Sequence, residues 1–362
     1  MAMKVRDEAD VLDENLRWHG AQGVDQFIVT DNGSTDGTTE ILRRHEDEGI
    51  LKLIEEPSTE DFRDQAHWWV TRMARLAATE LGADWVVHAD ADEFWSPVTG
   101  SLKQALEGVP EEFGVVLAPR PEFVPRPDGP EPFWQRMTVR EARSQLRPKI
   151  AHRADPDATL HRGAHDVDIE RDGGVRHSGR AVMRAVKPDR AAGDDRLVWA
   201  PLWPARVLHF PLRSLDQYTR KVEVTLRGGF DDKAHDELRA AYQEGRLPEL
   251  FEELVPDHAV VDEGIRDGRY AEDTRVRDFL AGEKPAQSPP EQVEAELAEL
   301  RIDAMQTLAR SQRSLIRQLD AFRRRVQRQR QQVQRVERAE RGRHWSRLRM
   351  GAARLLGSSR DR

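Results

Sequence analysis

The 362-residue chain contains no cysteine. That absence excludes disulfide scaffolds, thiolate zinc sites, iron–sulfur clusters and thiol nucleophiles, and leaves the chemistry to oxygen and nitrogen groups. Long apolar runs are missing too. At a mean hydropathy of −0.74, no stretch approaches the roughly 20 apolar residues that a membrane-spanning helix needs. Met1 to Glu8 is already charged and offers no h-region, so the chain is expected to be soluble and cytoplasmic. Lysine also vanishes from the C-terminal end. The 57 basic and 65 acidic residues leave a net charge of −8, but they are unevenly spread. From Pro285 to Arg362 there are 18 Arg against 9 acidic residues, a net of +9, whereas residues 1–284 carry −17.

The two parts are different physical objects, separated by a linker around Pro285, Pro289 and Pro290. Beyond it, Val293, Leu297 and Leu300, then Leu315, Leu319, Phe322, Val326, Val333 and Val336, recur at steps of three and four. This spacing predicts a long helix with a coiled-coil seam over residues 285–340, which would either join copies into a homo-oligomer or pack alone on the body. Residues 341–362 mix arginines with Trp345 and Leu355–Leu356, which suits either peripheral contact with an anionic lipid surface or a solvated basic end. Nucleic acid is not an expected partner, because the acidic body would be repelled by phosphate.

In the body, strands are expected at Met1–Val5, Gln26–Thr30, Leu51–Glu55, Trp85–Ala89 and Gly114–Ala118. Helices are expected at Asp7–His19, Thr38–Glu48 and Phe62–Leu81. The alternation predicts an α/β fold with a mostly parallel sheet, helices on both faces and right-handed crossovers. Ligands of such sheets sit at the carboxyl ends of the strands. Three segments occupy those ends: Arg6-Asp7-Glu8, Asp31-Asn32-Gly33-Ser34-Thr35-Asp36-Gly37 and Asp90-Ala91-Asp92-Glu93. On an extended chain, residues two apart face the same way, so Asp90 and Asp92 would present two carboxylates together and make a mouth for Mg²⁺ or Mn²⁺. A solvated acidic turn is the plainer reading of an Asp-x-Asp, but the apolar strand leading into this one favours function. In the second segment Asp31 could accept hydrogen bonds from a base or ribose, and an ordinary Asx turn is the alternative.

These segments, with Ala83-Asp84-Trp85, Leu146-Arg147-Pro148-Lys149, Gly163-Ala164-His165-Asp166-Val167 and Leu208-His209-Phe210-Pro211-Leu212-Arg213-Ser214, resemble the family 2 glycosyltransferases of the GT-A fold, in a shortened branch. The resemblance covers residues 1–230, followed by a helical extension at 231–284. It implies inverting, metal-dependent transfer of a sugar from a nucleotide-diphosphate sugar, most simply a UDP type, to a hydroxyl of a glycan or lipid-linked acceptor at the inner membrane face. It places Arg6, Glu8, Asp31, Asn32, Asp36 and Asp90 at the nucleotide, and Asp90, Asp92 and His209 at the metal. Lys149 would sit at the leaving diphosphate, and Asp166, with Glu93 and Glu122 behind it, would be the base. Asn32 and Ala164 depart from the family's usual acid and asparagine.

Two other readings compete. A metal-dependent hydrolase built on His161, His165, Asp166 and Asp168 would need further spaced histidines. A coiled-coil scaffold with a decayed transferase domain would not need both Asp90 and Asp92.

Overall fold

The computed structural model describes residues 1–56, 62–144, 148–161, 163–171, 175–178, 197–199, 205–227, 233–283 and 297–298. All of them belong to one compact unit, Met1–Ala181 with Pro188–Thr307. The expected coiled-coil seam, apart from residues 297–298, the basic tail, Leu146 and Arg147 lie outside the described residues.

The elements follow in the order β1 (Ala2–Val5), α1 (Leu12–Ala21), β2 (Phe27–Asp31), α2 (Thr38–Asp47), β3 (Leu51–Glu55), α3 (Phe62–Thr79), β4 (Trp85–Ala89), β5 (Glu93–Pro97), α4 (Leu102–Glu107) and β6 (Val115–Ala118). Next come α5 (Phe133–Arg136), β7 (Val139–Glu141), β8 (Lys149–Arg153), β9 (Thr159–His161), β10 (Asp166–Arg171), β11 (Val175–Ser178), β12 (Leu197–Trp199) and β13 (Ala205–His209). The last are α6 (Leu215–Arg227), α7 (Lys233–Gln243), α8 (Leu247–Leu254), α9 (His258–Arg266), β14 (Tyr270–Glu272) and α10 (Arg275–Leu280).

The main sheet has the order β3-β2-β1-β4-β8-β6. β1 to β4 are parallel, and β8 runs antiparallel to both β4 and β6, so β6 points the same way as the first four. The mostly parallel α/β sheet read from the sequence is therefore present, with one reversed strand that the pattern did not reveal. Both faces are covered. Met3, Val5, Phe27, Val29 and Val87 pack in one cluster with Leu12, Leu16 and Leu42 from α1 and α2. Their strand neighbours Ala2, Ile28 and Val86 pack on the other face with Val70, Met73 and Ala77 of α3 and with Leu160 and Val167 of the β9–β10 hairpin. Period-two alternation with both sets buried is what a two-sided sheet requires.

The first helix starts at Leu12 rather than at Asp7, because Asp7 takes a left-handed backbone (φ 54°) and Arg6 to Val11 form a strand-end loop. The C-terminal extension is not purely helical. β14 returns to pair with β7, and Val276 and Leu280 of α10 enter the main core, where Phe279 meets Trp18 edge-on at 5.3 Å.

That return is fastened by a buried ion cluster. Asp273 accepts from Arg140 Nε at 2.7 Å and from Arg275 Nε at 2.9 Å, and Arg275 also reaches Ser96 Oγ at 3.2 Å. Burial would raise the Asp273 carboxyl, but the guanidiniums of Arg275 and Arg140 hold it far below the usual carboxylate range. Its stabilising contribution is therefore fully present above the ordinary carboxylate pKa of about 4 and drains away as the pH falls below it. Asp273→Ala leaves two buried guanidiniums without their carboxylate. It should cost about 3–5 kcal/mol in urea unfolding at neutral pH, with the difference from the parent shrinking in acid.

Candidate functional site

The carboxyl ends of β1 and β4 and the start of α6 enclose a cleft of about 390 Å³. Two of the three segments picked out from the sequence line it directly, through Arg6, Asp7, Glu8, Asp90 and Asp92. The third braces them from outside the lining. Thr35 N and Oγ1 donate to Asp7 Oδ1 at 2.7 and 3.2 Å, Asp7 N donates to Ser34 Oγ at 3.0 Å, and Glu8 N donates to Thr38 Oγ1 at 2.9 Å. Asp36 works both ways, accepting from Ala9 N at 3.1 Å and from Thr38 Oγ1 at 2.6 Å. Gly37, at φ 100°, supplies the backbone shape that lets α2 begin there. Asp31 spends its carboxylate on the turn itself, accepting from Ser34 N and Oγ and from Thr39 Oγ1, and Asn32 donates to the Glu56 carbonyl at 3.2 Å. Both are buried. The Asx-turn alternative thus describes the local geometry.

Asp90 to Glu93 is a turn and not an extended continuation of β4: Glu93 N donates to the Asp90 carbonyl at 3.1 Å. It is clamped from α1, where the buried Asn15 gives its side-chain amide to the carbonyls of Ala91 (2.8 Å) and Glu93 (2.9 Å). His19 continues the clamp by accepting Trp95 N–H at 3.0 Å, and burial pushes this imidazole down to about 3, which keeps the ring nitrogen available as an acceptor. The turn sends its two aspartates to different partners. Asp90, half exposed, meets Lys149 Nζ at 2.8 Å, whereas Asp92, almost fully buried, faces His209 Nε2 and Lys221 Nζ at 3.5 Å each and Arg213 at 3.7 Å.

Lys149 is itself 1% exposed and also holds Glu93 Oε2 at 2.8 Å; Arg120 takes the other Glu93 oxygen at 2.5 Å. Burial would lower the Lys149 ammonium, but Asp90 and Glu93 raise it, so it stays charged. Lys149 and Glu93 are therefore sealed against each other beneath the turn. They fix Asp90 rather than reaching into the cleft as a leaving-group cation and a base. Asp166 opens β10 opposite His161 and is not among the residues lining the cleft.

His209 reaches Asp92 through strand register. β13 pairs antiparallel with β5, the last pair being His209↔Glu93, and Phe210 N donates to the Asp92 carbonyl at 2.9 Å. Burial alone would strip the imidazole of its proton. Asp92, with Glu122 Oε1 at 3.2 Å behind it, reverses this and raises His209 to about 9. In return, the charges of His209, Lys221 and Arg213 hold Asp92 well below its ordinary value despite burial.

Four cations escaped the sequence reading. Arg213, buried, forks onto Asp10 at 2.7 and 2.9 Å and onto Glu8 at 2.5 Å. It joins the first loop to the start of α6. Arg120 leaves the end of β6. Arg220 and Lys221 lie with Gln217 and Val224 on one stripe of α6 facing the cleft. That spacing of three and four residues is the one signal that could have found them.

At neutral pH His209 should be protonated and should titrate near 9; its pairing contributes stability that is complete below about 6.5 and is lost as the pH rises through 9. Asp92→Asn should move that titration below neutrality, as read from the imidazole carbon-bound protons by NMR.

No family model matches the chain, and no curated protein matches it. Among solved structures it is similar to S. aureus TarS 1-349, at 14% identity over 88% of this chain and 90% of that one, with a TM-score of 0.32. The same protein in complex with UDP-GlcNAc gives 13% identity over 78% and 87% of the two chains with a TM-score of 0.34. In complex with UDP it gives 13% over 88% and 90% with a TM-score of 0.31. Values of this size describe a loose likeness of outline.

Proposed function

We propose that the cleft binds a nucleotide-diphosphate sugar and transfers its sugar to a hydroxyl acceptor with the help of a divalent cation. The observation that carries the reading is the Asp90–Asp92 turn at the end of a buried parallel strand, opening on a cleft that is also lined by Arg6, Arg120, Arg220 and Lys221. Carboxylates beside a ring of cations suit a ligand that has a diphosphate and brings a metal with it.

Among the described residues no three carboxylate or imidazole groups are gathered as a metal site; a cation arriving with the diphosphate would find Asp92 and His209 as its protein ligands, with Asp90 nearby. Asp92 Oδ2 and His209 Nε2 face each other at 3.5 Å, too far apart for a good hydrogen bond, and Asp90 exposes half of its side chain to the same cleft. Two carboxylates and an imidazole would suit Mn²⁺ or Mg²⁺, the imidazole tilting the choice toward Mn²⁺ once the cation displaces the proton that His209 holds at neutral pH. When bound, the ion would neutralise charge on the diphosphate. The chain's own cations act on the same charge: Lys221, half exposed on α6, and Arg220 stand where oxygens of the leaving group would gather negative charge in the transition state. Arg213 keeps Glu8 and Asp10 in place and so shapes the wall opposite the turn. Asp31 and Asp36 position the loops that meet the nucleotide.

Titration of the full chain with UDP in the presence of MnCl₂ should give saturable heat. Asp92→Asn should lose the manganese-dependent part and abolish release of UDP from UDP-sugars; wild-type protein that binds neither Mn²⁺ nor UDP would reject the reading. Lys221→Met should leave the fold intact and weaken UDP binding about tenfold or more, the effect of losing one charge-assisted contact of roughly 1.5–3 kcal/mol.

A further inference from the structure

Asp90 and Asp92 stand two residues apart in different surroundings. Asp90 opens on the cleft and also on a second cavity of about 270 Å³ on the α3 side of the sheet, which Lys4, Val70 and His165 line with it. Asp92 is buried and lines the cleft but not the second cavity. A carboxylate so enclosed is placed by whatever holds its backbone.

The three carbonyls from 91 to 93 are all taken by groups from elsewhere in the chain. Phe210 N donates to the Asp92 carbonyl at 2.9 Å. The carbonyls on either side, of Ala91 and Glu93, both accept from the side-chain amide of Asn15, at 2.8 and 2.9 Å. One buried side chain of α1 therefore brackets Asp92, and it is not among the residues lining the cleft.

The orientation of this amide is forced from both ends. Trp95 N–H can only donate, so His19 Nε2, 3.0 Å away, accepts. The neutral imidazole then carries its proton on Nδ1, which lies 2.8 Å from Asn15 Oδ1 and 3.0 Å from the Asn15 carbonyl, two acceptors. With Oδ1 taken, the amide nitrogen faces two carbonyls that only accept. Turning the amide over would set oxygen against oxygen at the turn and N–H against N–H at His19. Trp18 Nε1 adds a further bond from the same helix, to the Trp95 carbonyl at 2.8 Å.

Packing alone does not call for an amide here. Leu12 and Leu16, on the same helix, seat α1 in the main core with apolar groups. A buried amide carries a desolvation cost that only its bonds to the turn and to His19 offset.

We propose that Asn15 is a positioning residue for the transfer reaction. It touches neither substrate nor cation, and it fixes the peptide groups on both sides of Asp92 so that this carboxylate meets the incoming cation and diphosphate in one place. The inference rests on the sugar-transfer reading for what Asp92 does, and on the hydrogen bonds alone for what Asn15 does.

The test compares Asn15→Leu with Leu16→Ala in the full chain. Both changes weaken the seating of α1, but only the first releases the turn. Amide exchange at Asp90 and Glu93, whose N–H groups bond within the turn, is followed by NMR, and UDP affinity is measured by calorimetry in EDTA and in MnCl₂. In Asn15→Leu the two amides should exchange about tenfold faster or more. The gain in UDP affinity that MnCl₂ brings should fall about tenfold or more, the usual effect of losing a group that orients a metal's ligands, while affinity in EDTA is unchanged. Leu16→Ala should keep both the slow exchange and the manganese gain. His19→Phe, which unlocks the amide without removing it, should show the Asn15→Leu pattern more weakly, and it decides the matter if Asn15→Leu does not fold. The proposal alone is overturned if Asn15→Leu and Leu16→Ala lose the manganese gain alike, since Asn15 would then matter only to stability, or if Asn15→Leu and His19→Phe both keep it. Wild-type protein that gains nothing from MnCl₂ overturns the metal-assisted reading and the proposal with it.

Discussion

A strand that ends in carboxylates inside a protein must find cations for them, and most of the architecture around β4 follows from that requirement. Asp92 and Glu93 are buried, and Asp90 is half so. Unpaired, each would have to pick up a proton or return to water. Lys149 comes from the reversed strand β8, Arg120 from the end of β6, His209 from β13, and Arg213 and Lys221 from the start of α6. Each reaches the turn because its own element is already packed against the sheet. The ion pairs therefore report the tertiary structure as much as they stabilise it, and removal of one partner leaves the others with uncompensated charge.

The same requirement divides the carboxylates by task. Glu93 is fully enclosed by Lys149, Arg120 and the amide of Asp90, so it sets the shape of the turn. Asp92 is balanced by cations held at 3.5 to 3.7 Å, longer than close hydrogen-bonded pairs, so it is neutralised by several looser contacts where Glu93 has close ones. The turn thus has a tightly fixed acid beneath and a more loosely paired acid above. Asn15 and His19 serve the same end from α1, giving the turn a polar clamp with no net charge.

The sheet was legible because its signals are local. Apolar strands of four or five residues, the first three each followed by a loop and then a helical period, identify β1 to β4 within a residue or two. The place of the cleft, at the carboxyl ends of β1 and β4, followed from a general rule about parallel sheets. What stayed hidden is what depends on sequence-distant partners. Arg213 lies 205 residues from Glu8 and 203 from Asp10, and although it stands in the resembling segment Leu208–Ser214, nothing there shows which acids it pairs with. Lys149 looked like a free cation because its neighbours in sequence do not show that two acids converge on it. The turn before β10 decided the remaining case: His165 and Asp166 are adjacent, and only the first lines the space beside Asp90.

That adjacency bears on how a second ligand could be admitted. Lys4 and Asp90 line both spaces, so whatever occupies one changes the electrostatics of the other. A cation drawn to Asp90 would weaken that carboxylate's hold on Lys149 and Lys4, leaving Lys149 to Glu93 and Lys4 more available to a group entering from either side. The two spaces are therefore linked through one carboxylate, and occupancy of either alters the charge balance of the other.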